Sequence, residues 1–110
     1  MSRTPLAASA FATADATGKA TAKVQPLRAF ERWHITNTSV QNSSTVKIPT
    51  VKLYKGAGSG SNFFEGSYSG VFNSTNTPIT LESGQVLMAV WENGDANASC
   101  TLTIEGETEI

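Results

Sequence analysis

Apolar residues along this chain fall in short alternating runs and never at the spacing of a helix face. No window of about 11–18 residues sustains apolar positions at i, i+3, i+4 and i+7, so no long helix is predicted. Instead, runs of four to ten residues are punctuated by Gly, Asn, Asp, Ser and Pro, the rhythm of a sandwich or barrel. Residues 10–14 and 19–25 read as strands around Asp15-Ala16-Thr17-Gly18, a four-residue hairpin loop with Gly18 free to take positive φ. Pro26 ends the second of these strands, because it has no N–H to give to a ladder.

The next predicted strand spans 29–41. Trp33 and Ile35 share one parity, Thr38 and Val40 the other, so a one-residue bulge near Thr36–Asn37 is needed to keep both pairs inward. Asn42-Ser43-Ser44 supplies a turn, and 46–55 forms a further strand with a parity break at Pro49. Val51 and Leu53 point one way there, and Thr50, Lys52 and Tyr54 the other. Residues 56–61 read as a Gly/Ser loop, 63–72 as two irregular strand pieces rich in aromatics, and 73–78 as a loop. Ile79 and Leu81 precede a turn at 82–85. Residues 86–91 are apolar on both faces, as in a central strand covered on each side. A turn at Asn93-Gly94-Asp95 returns the chain into 99–105, where Cys100, Leu102 and Ile104 alternate with Thr101, Thr103 and Glu105.

These pieces predict an all-β chain: a single antiparallel β-sandwich, jelly-roll or Ig-like, of seven to nine short strands. Residues 1–9 have little to bury and are expected to form a flexible N-terminal arm, leaving 10–110 as the sandwich domain. The length of 110 residues suits one domain. Such a domain buries roughly 65% of its unfolded surface.

Charge narrows the partners. The formal net charge is −1 and only 15% of residues are charged, so there is no global field to attract nucleic acid or an anionic membrane. No stretch approaches the roughly 18 apolar residues of a membrane span. The run from Pro5 to Ala14 is too short and too Ala/Ser/Thr-rich for a signal peptide. The sequons at Asn37, Asn42, Asn73 and Asn97 are expected by chance in so Ser/Thr-rich a chain.

Candidate chemistry is sparse. The single His34 sits between Trp33 and Ile35 and reads as a solvent-facing or interface residue. The single Cys100 alternates inward with Leu102 and Ile104, the behaviour of a small buried hydrophobe. One His and one Cys do not make a zinc site, which takes about four ligands. Glu82, Glu92, Asp95, Glu105, Glu107 and Glu109 fall in turns or at the C-terminus without the spacing of a glycosidase pair. The Gly56-Ala57-Gly58-Ser59-Gly60 run lacks the following helix and the Lys of a phosphate-binding loop. No catalytic residue, cofactor or metal is expected, and the chain reads as a non-enzyme. Trp33 and Trp91 are expected in the core. Phe63, Phe64, Tyr68 and Phe72 are the candidate interface, for a neighbouring subunit or for sugar rings.

The segments Ala-Asp-Ala-Thr-Gly-Lys-Ala-Thr-Ala-Lys-Val-Gln-Pro (14–26), Glu-Arg-Trp-His-Ile (31–35), Ile-Pro-Thr-Val-Lys-Leu-Tyr-Lys-Gly (48–56), Leu-Glu-Ser-Gly-Gln-Val-Leu-Met-Ala-Val-Trp (81–91) and Ala-Ser-Cys-Thr-Leu-Thr-Ile-Glu-Gly (98–106) together resemble the small β-sandwich virion proteins of tailed bacteriophages, especially those infecting actinobacteria. The resemblance covers most of the chain after the arm and rests on loose strand-and-turn patterns. It implies a structural protein of the virion, in a decoration, head-fibre or tail role, assembled in the bacterial host cytoplasm. It also implies association with copies of itself, as trimers or larger rings, and with capsid or tail proteins. The alternative function is a carbohydrate-binding module or host-surface adhesin.

Overall fold

A computed structural model describes residues 3–57 and 62–110. Among them are nine strands and no helix: β1 (Arg3–Thr13), β2 (Ala20–Val24), β3 (Arg32–Asn42), β4 (Thr50–Ala57), β5 (Asn62–Ser69), β6 (Phe72–Thr75), β7 (Ile79–Leu81), β8 (Gln85–Glu92) and β9 (Ser99–Glu109). Two antiparallel sheets pack face to face. One runs β1-β9-β3-β6, with β7 sharing the outer edge of β3 beside β6; the other runs β2-β8-β4-β5. Among consecutive strands, β4 and β5 pair within one sheet, while β1–β2, β2–β3, β3–β4, β5–β6, β7–β8 and β8–β9 each cross from one sheet to the other. That interleaving is the double Greek key of a jelly roll, which decides between the two sandwich types expected.

The core follows from period-2 alternation. Ile35, Val40, Leu102 and Ile104 from one sheet meet Val51, Leu53, Leu87 and Trp91 from the other, all buried. Trp33, Trp91 and Cys100 are all buried core residues, as expected. Along the β1–β2 side the inward side chains are small: Ala8, Ala10 and Ala12 face Ala20 and Ala22. Small side chains let the two sheets approach closely there and shut that side of the sandwich.

The expected bulge is present. The β3–β9 register shifts between Ile35 and Asn37, opposite Gly106. A Cβ on Gly106 would sit on the carbonyl oxygen of His34, so the bulge requires glycine on the facing strand.

Several elements differ from the expectation. The arm over 1–9 is corrected: from Arg3 onward it is strand, paired residue by residue with β9 from Arg3↔Glu109 to Thr13↔Ser99. A ladder needs backbone groups rather than buried side chains, so a segment with little to bury still pairs. The loop at 15–18 is not a hairpin, because β1 pairs β9 and β2 pairs β8. It carries the chain between sheets, as does the turn after β8. The two crossovers touch through Gly94 N–H donating to Gly18 O at 3.3 Å. Gly18 has φ +81, and a Cβ there would overlap the Gly94 carbonyl.

Strand β3 starts at Arg32 and β4 at Thr50, leaving 25–31 and 43–49 as loops. Residues 73–75, expected in a loop, join Phe72 in the short strand β6 on the edge of β3. Strand β8 is interior, between β2 and β4. Its faces are unequal, however: Val86, Leu87, Ala89 and Trp91 are buried, while Met88 and Val90 are half-buried on the outer side.

Candidate interaction surfaces

Three surfaces carry side chains that the core does not use. The first lies at the end of the sandwich where β3 runs into β4. Asp95, in the β8–β9 crossover, turns its carboxylate toward the 43–49 loop. Its oxygens accept the backbone N–H groups of Thr45 (2.8 Å), Val46 (3.1 Å) and Lys47 (2.8 Å). The same loop is fixed from below: Asn42 Oδ1 accepts both the N–H and the hydroxyl of Ser44, and Ser44 Oγ accepts the Asp95 N–H at 2.8 Å. These backbone donors hold the Asp95 carboxyl below its ordinary value, Thr45 contributing most. Val46 and Ile48 are left outward, 85% and 73% exposed. Beside them Gly70 N–H donates to Pro49 O and Asn42 N–H to Val71 O, so exposed Val71 belongs to the same end. A loop fixed by this many bonds presents apolar side chains with little ordering cost left to meet on binding.

The second surface is the charged corner at the opposite end. Glu109, at the tip of β9, is only 4% exposed. Its carboxylate is 2.5 Å from His34 Nε2, 3.6 Å from an Arg32 nitrogen and 3.9 Å from one of Arg3. A carboxylate only accepts, so the proton of this bond sits on Nε2. The His34 hydrogen bond, with Arg3 and Arg32 behind it, lowers the Glu109 carboxyl against the opposing effect of burial. Arg32 is further engaged by Glu82 at 2.9 Å. His34 is therefore half-buried and tied to Glu109 rather than simply solvent-facing. No hydroxyl or thiol side chain among the described residues hydrogen-bonds to it, so this corner reads as an electrostatic clasp joining β1, β9 and β3.

The third is the loop at 25–31. Glu31 folds back to accept the N–H groups of Leu27 (3.0 Å) and Arg28 (3.3 Å). Phe30 takes φ 65, a left-handed conformation costly for an aromatic residue. Leu27 and Phe30 project outward, 85% and 91% exposed. Ala29, Phe30, Glu31, Arg32, Glu82 and Ser83 line an open depression of about 350 Å³, whose one cationic wall, Arg32, is already neutralised by Glu82.

Of the four aromatics singled out in the sequence, the two whose side chains are described, Tyr68 and Phe72, lie on different sheets. Phe63 and Phe64 lie on β5, and their side chains fall outside the described residues. Tyr68 packs half-buried against the core from the four-stranded sheet. Phe72 is 59% exposed on the five-stranded sheet. Cys100 is buried, its thiol raised by that burial and held 3.3 Å from Asn42 Nδ2, which suits packing and not nucleophilic chemistry. Among the described residues no group of three or more His, Cys, Asp or Glu is placed to hold a metal ion. No helix among the described residues is long and apolar enough to cross a membrane. Sequence patterning missed the Asp95 clamp and the Glu109 clasp. Each joins residues about 50 or more positions apart, and the only local signals were Asp95 in a turn and an acidic C-terminus.

No known family model matches the sequence, and no curated protein matches it. Among solved structures, the Yersinia pseudotuberculosis-derived mitogen is similar at 17% identity over 94% of this chain and 86% of that one, with a TM-score of 0.40. A structure described as CBM4 is similar at 11% identity over 90% of this chain and 70% of that one, with a TM-score of 0.37. Likenesses this distant carry no functional argument. The chain is an all-β, two-sheet sandwich of antiparallel strands.

Proposed function

We propose that this chain is a non-catalytic assembly domain, a structural protein of a tailed-bacteriophage virion that attaches to copies of itself and to capsid or tail subunits. The observation that carries the reading is the pairing of a locked backbone with exposed apolar side chains. Asp95 holds 45–47 through three N–H bonds, while Val46 and Ile48 stand in solvent. A rigid loop with unburied β-branched side chains is what a subunit contact needs, since apolar burial drives association and prior ordering limits its cost. Jelly-roll sandwiches serve both viral capsid and lectin domains, so the topology is compatible with the reading without selecting it. The phage assignment itself rests on the resemblance of the strand-and-turn segments.

The test is electron cryo-microscopy of purified particles from the host phage. The expected result is density for the sandwich with 45–48 and Val71 buried against a neighbouring subunit. Particles that lack the chain, or that leave this loop in solvent, overturn the assignment.

A further inference from the structure

The strand registers line up two rows of outward side chains on the outer face of the five-stranded sheet, whose Gln41 and Phe72 end adjoins the Asp95 loop. Phe11 pairs with Thr101, Thr101 with Gln41, and Gln41 with Phe72. Phe11, Thr101 and Gln41 each lie between inward neighbours, Ala10 and Ala12, Cys100 and Leu102, Val40 and Asn42, and Phe72, opposite Gln41, is itself exposed. By alternation the whole row points outward. The next row, Ser9–Thr103–Ser39–Ser74, is built the same way.

Two phenylalanines, 77% and 59% exposed, thus stand at opposite edges of a four-strand row, about 14 Å apart at the usual inter-strand spacing. Between and beside them are hydroxyls and one amide. Thr101 and Gln41 make no intramolecular side-chain hydrogen bond among the described residues, and Ser9 and Thr103 are bonded only to each other at 3.3 Å. Neither row contains a charge. The nearest on this face are Glu105 and Glu107 on β9, which repel anionic polymers.

We infer that this face binds a neutral glycan chain laid across the strands. The phenyl rings would cover the apolar C–H faces of two sugar rings, and Thr101, Gln41 and the serines would exchange hydrogen bonds with ring hydroxyls. A protein partner suits the face less, because protein interface cores are depleted in Ser, and five of the eight positions here are Ser or Thr. A nucleic acid would find no Lys or Arg on either row. The inference uses different side chains from the assembly reading, which uses Val46, Ile48 and Val71, and the two surfaces meet where Phe72 follows Val71.

The experiment is titration of the 15N-labelled full chain with cello-, malto-, xylo- and manno-hexaose, each followed by amide chemical shifts. At least one is expected to shift Ser9, Phe11, Thr101, Gln41 and Phe72 while leaving 45–48 unmoved. Phe11→Ala and Phe72→Ala each weaken that binding about tenfold or more, and their spectra report whether they remain folded. Absence of shifts with all four probes, shifts confined to other residues, or unchanged affinity in both variants overturns the inference. So do concentration-dependent shifts of these rows without any glycan, which would mark the face as a contact between copies.

Discussion

The Asp95 carboxylate accepts the backbone N–H of Val46 at 3.1 Å from 49 residues along the chain, while the Val46 side chain stands 85% exposed. Distant sequence thus fixes the backbone of a loop whose side chain the fold itself does not use. Replacing Asp95 with Ala removes the acceptor for Thr45, Val46 and Lys47 together. Their amides are expected to exchange with solvent about tenfold faster or more, while the amides of β8 and β9 hold their protection. Hydrogen exchange read by mass spectrometry or NMR checks this, and unchanged protection at 45–47 would mean the clamp is incidental.

Thr38 supplies a test of the core. It is 1% exposed, and its Oγ1 is buried without a hydrogen-bond partner among the described residues. An unpaired buried hydroxyl costs stability, and a methyl of the same shape does not. Thr38→Val is therefore expected to stabilise the fold by about 1 kcal/mol, read as a higher denaturant midpoint at unchanged slope. A loss of stability would mean that the hydroxyl has a partner.

Gly106 tests the bulge. A Cβ at that position meets the carbonyl of His34, a backbone atom that yields only if β3 shifts. Gly106→Ala is expected to lose about 1–3 kcal/mol, the usual range for overpacking a fixed structure. Gly70→Ala is a useful contrast: nothing lies near its Cβ, and its cost comes only from φ +109.

Much of the fold was legible because each β-strand writes its own alternation. The parity switch between Ile35 and Thr38 located the bulge, and Cys100-Leu102-Ile104 located the inner face of β9. What sequence concealed was pairing. Asp15-Ala16-Thr17-Gly18 has the composition of a hairpin loop, yet it joins strands in different sheets, since turn chemistry fixes local conformation and not which strand becomes the neighbour. Val46 and Ile48 suggested a strand because β-branched residues suit one. The loop instead takes its hydrogen bonds from Asp95. Likewise 3–9 reads as unattached by side chain alone, and its ladder with β9 is visible only in the backbone. The two-phenylalanine row escaped notice for the same reason, its members lying on four strands.

The acidic groups set the pH response. Asp95, Asp15 and Glu109 are all held below their ordinary carboxyl values, by backbone donors at 45–47, by Thr17 and Lys19, and by His34 first with Arg3 and Arg32 behind it. A lowered folded value means that the unfolded chain takes up protons first as pH falls. The stability these groups contribute is complete above the ordinary carboxyl range, begins to fall near pH 4 or about there, and is gone below their folded values. Thermal unfolding is expected to decline through that acid window. Glu109→Gln should show a shallower decline, and an equal slope in the variant would deny the clasp its role.

Substitution of the exposed loop separates folding from assembly. Val46→Asp and Ile48→Asp alter side chains that touch solvent and leave the backbone clamp in place, so each is expected to stay within about 0.5 kcal/mol of the parent in stability. Denaturant unfolding of the two variants checks this, and a larger loss would show that these side chains support the fold itself.

The most direct measurement of the assembly claim is the molar mass of the purified chain by light scattering across a dilution series, alongside the double variant Val46→Asp/Ile48→Asp. The account predicts a trimer or larger ring for the parent that falls toward the 11.6 kDa monomer in the variant. A parent that is monomeric at every concentration, or a variant that assembles equally well, would contradict it.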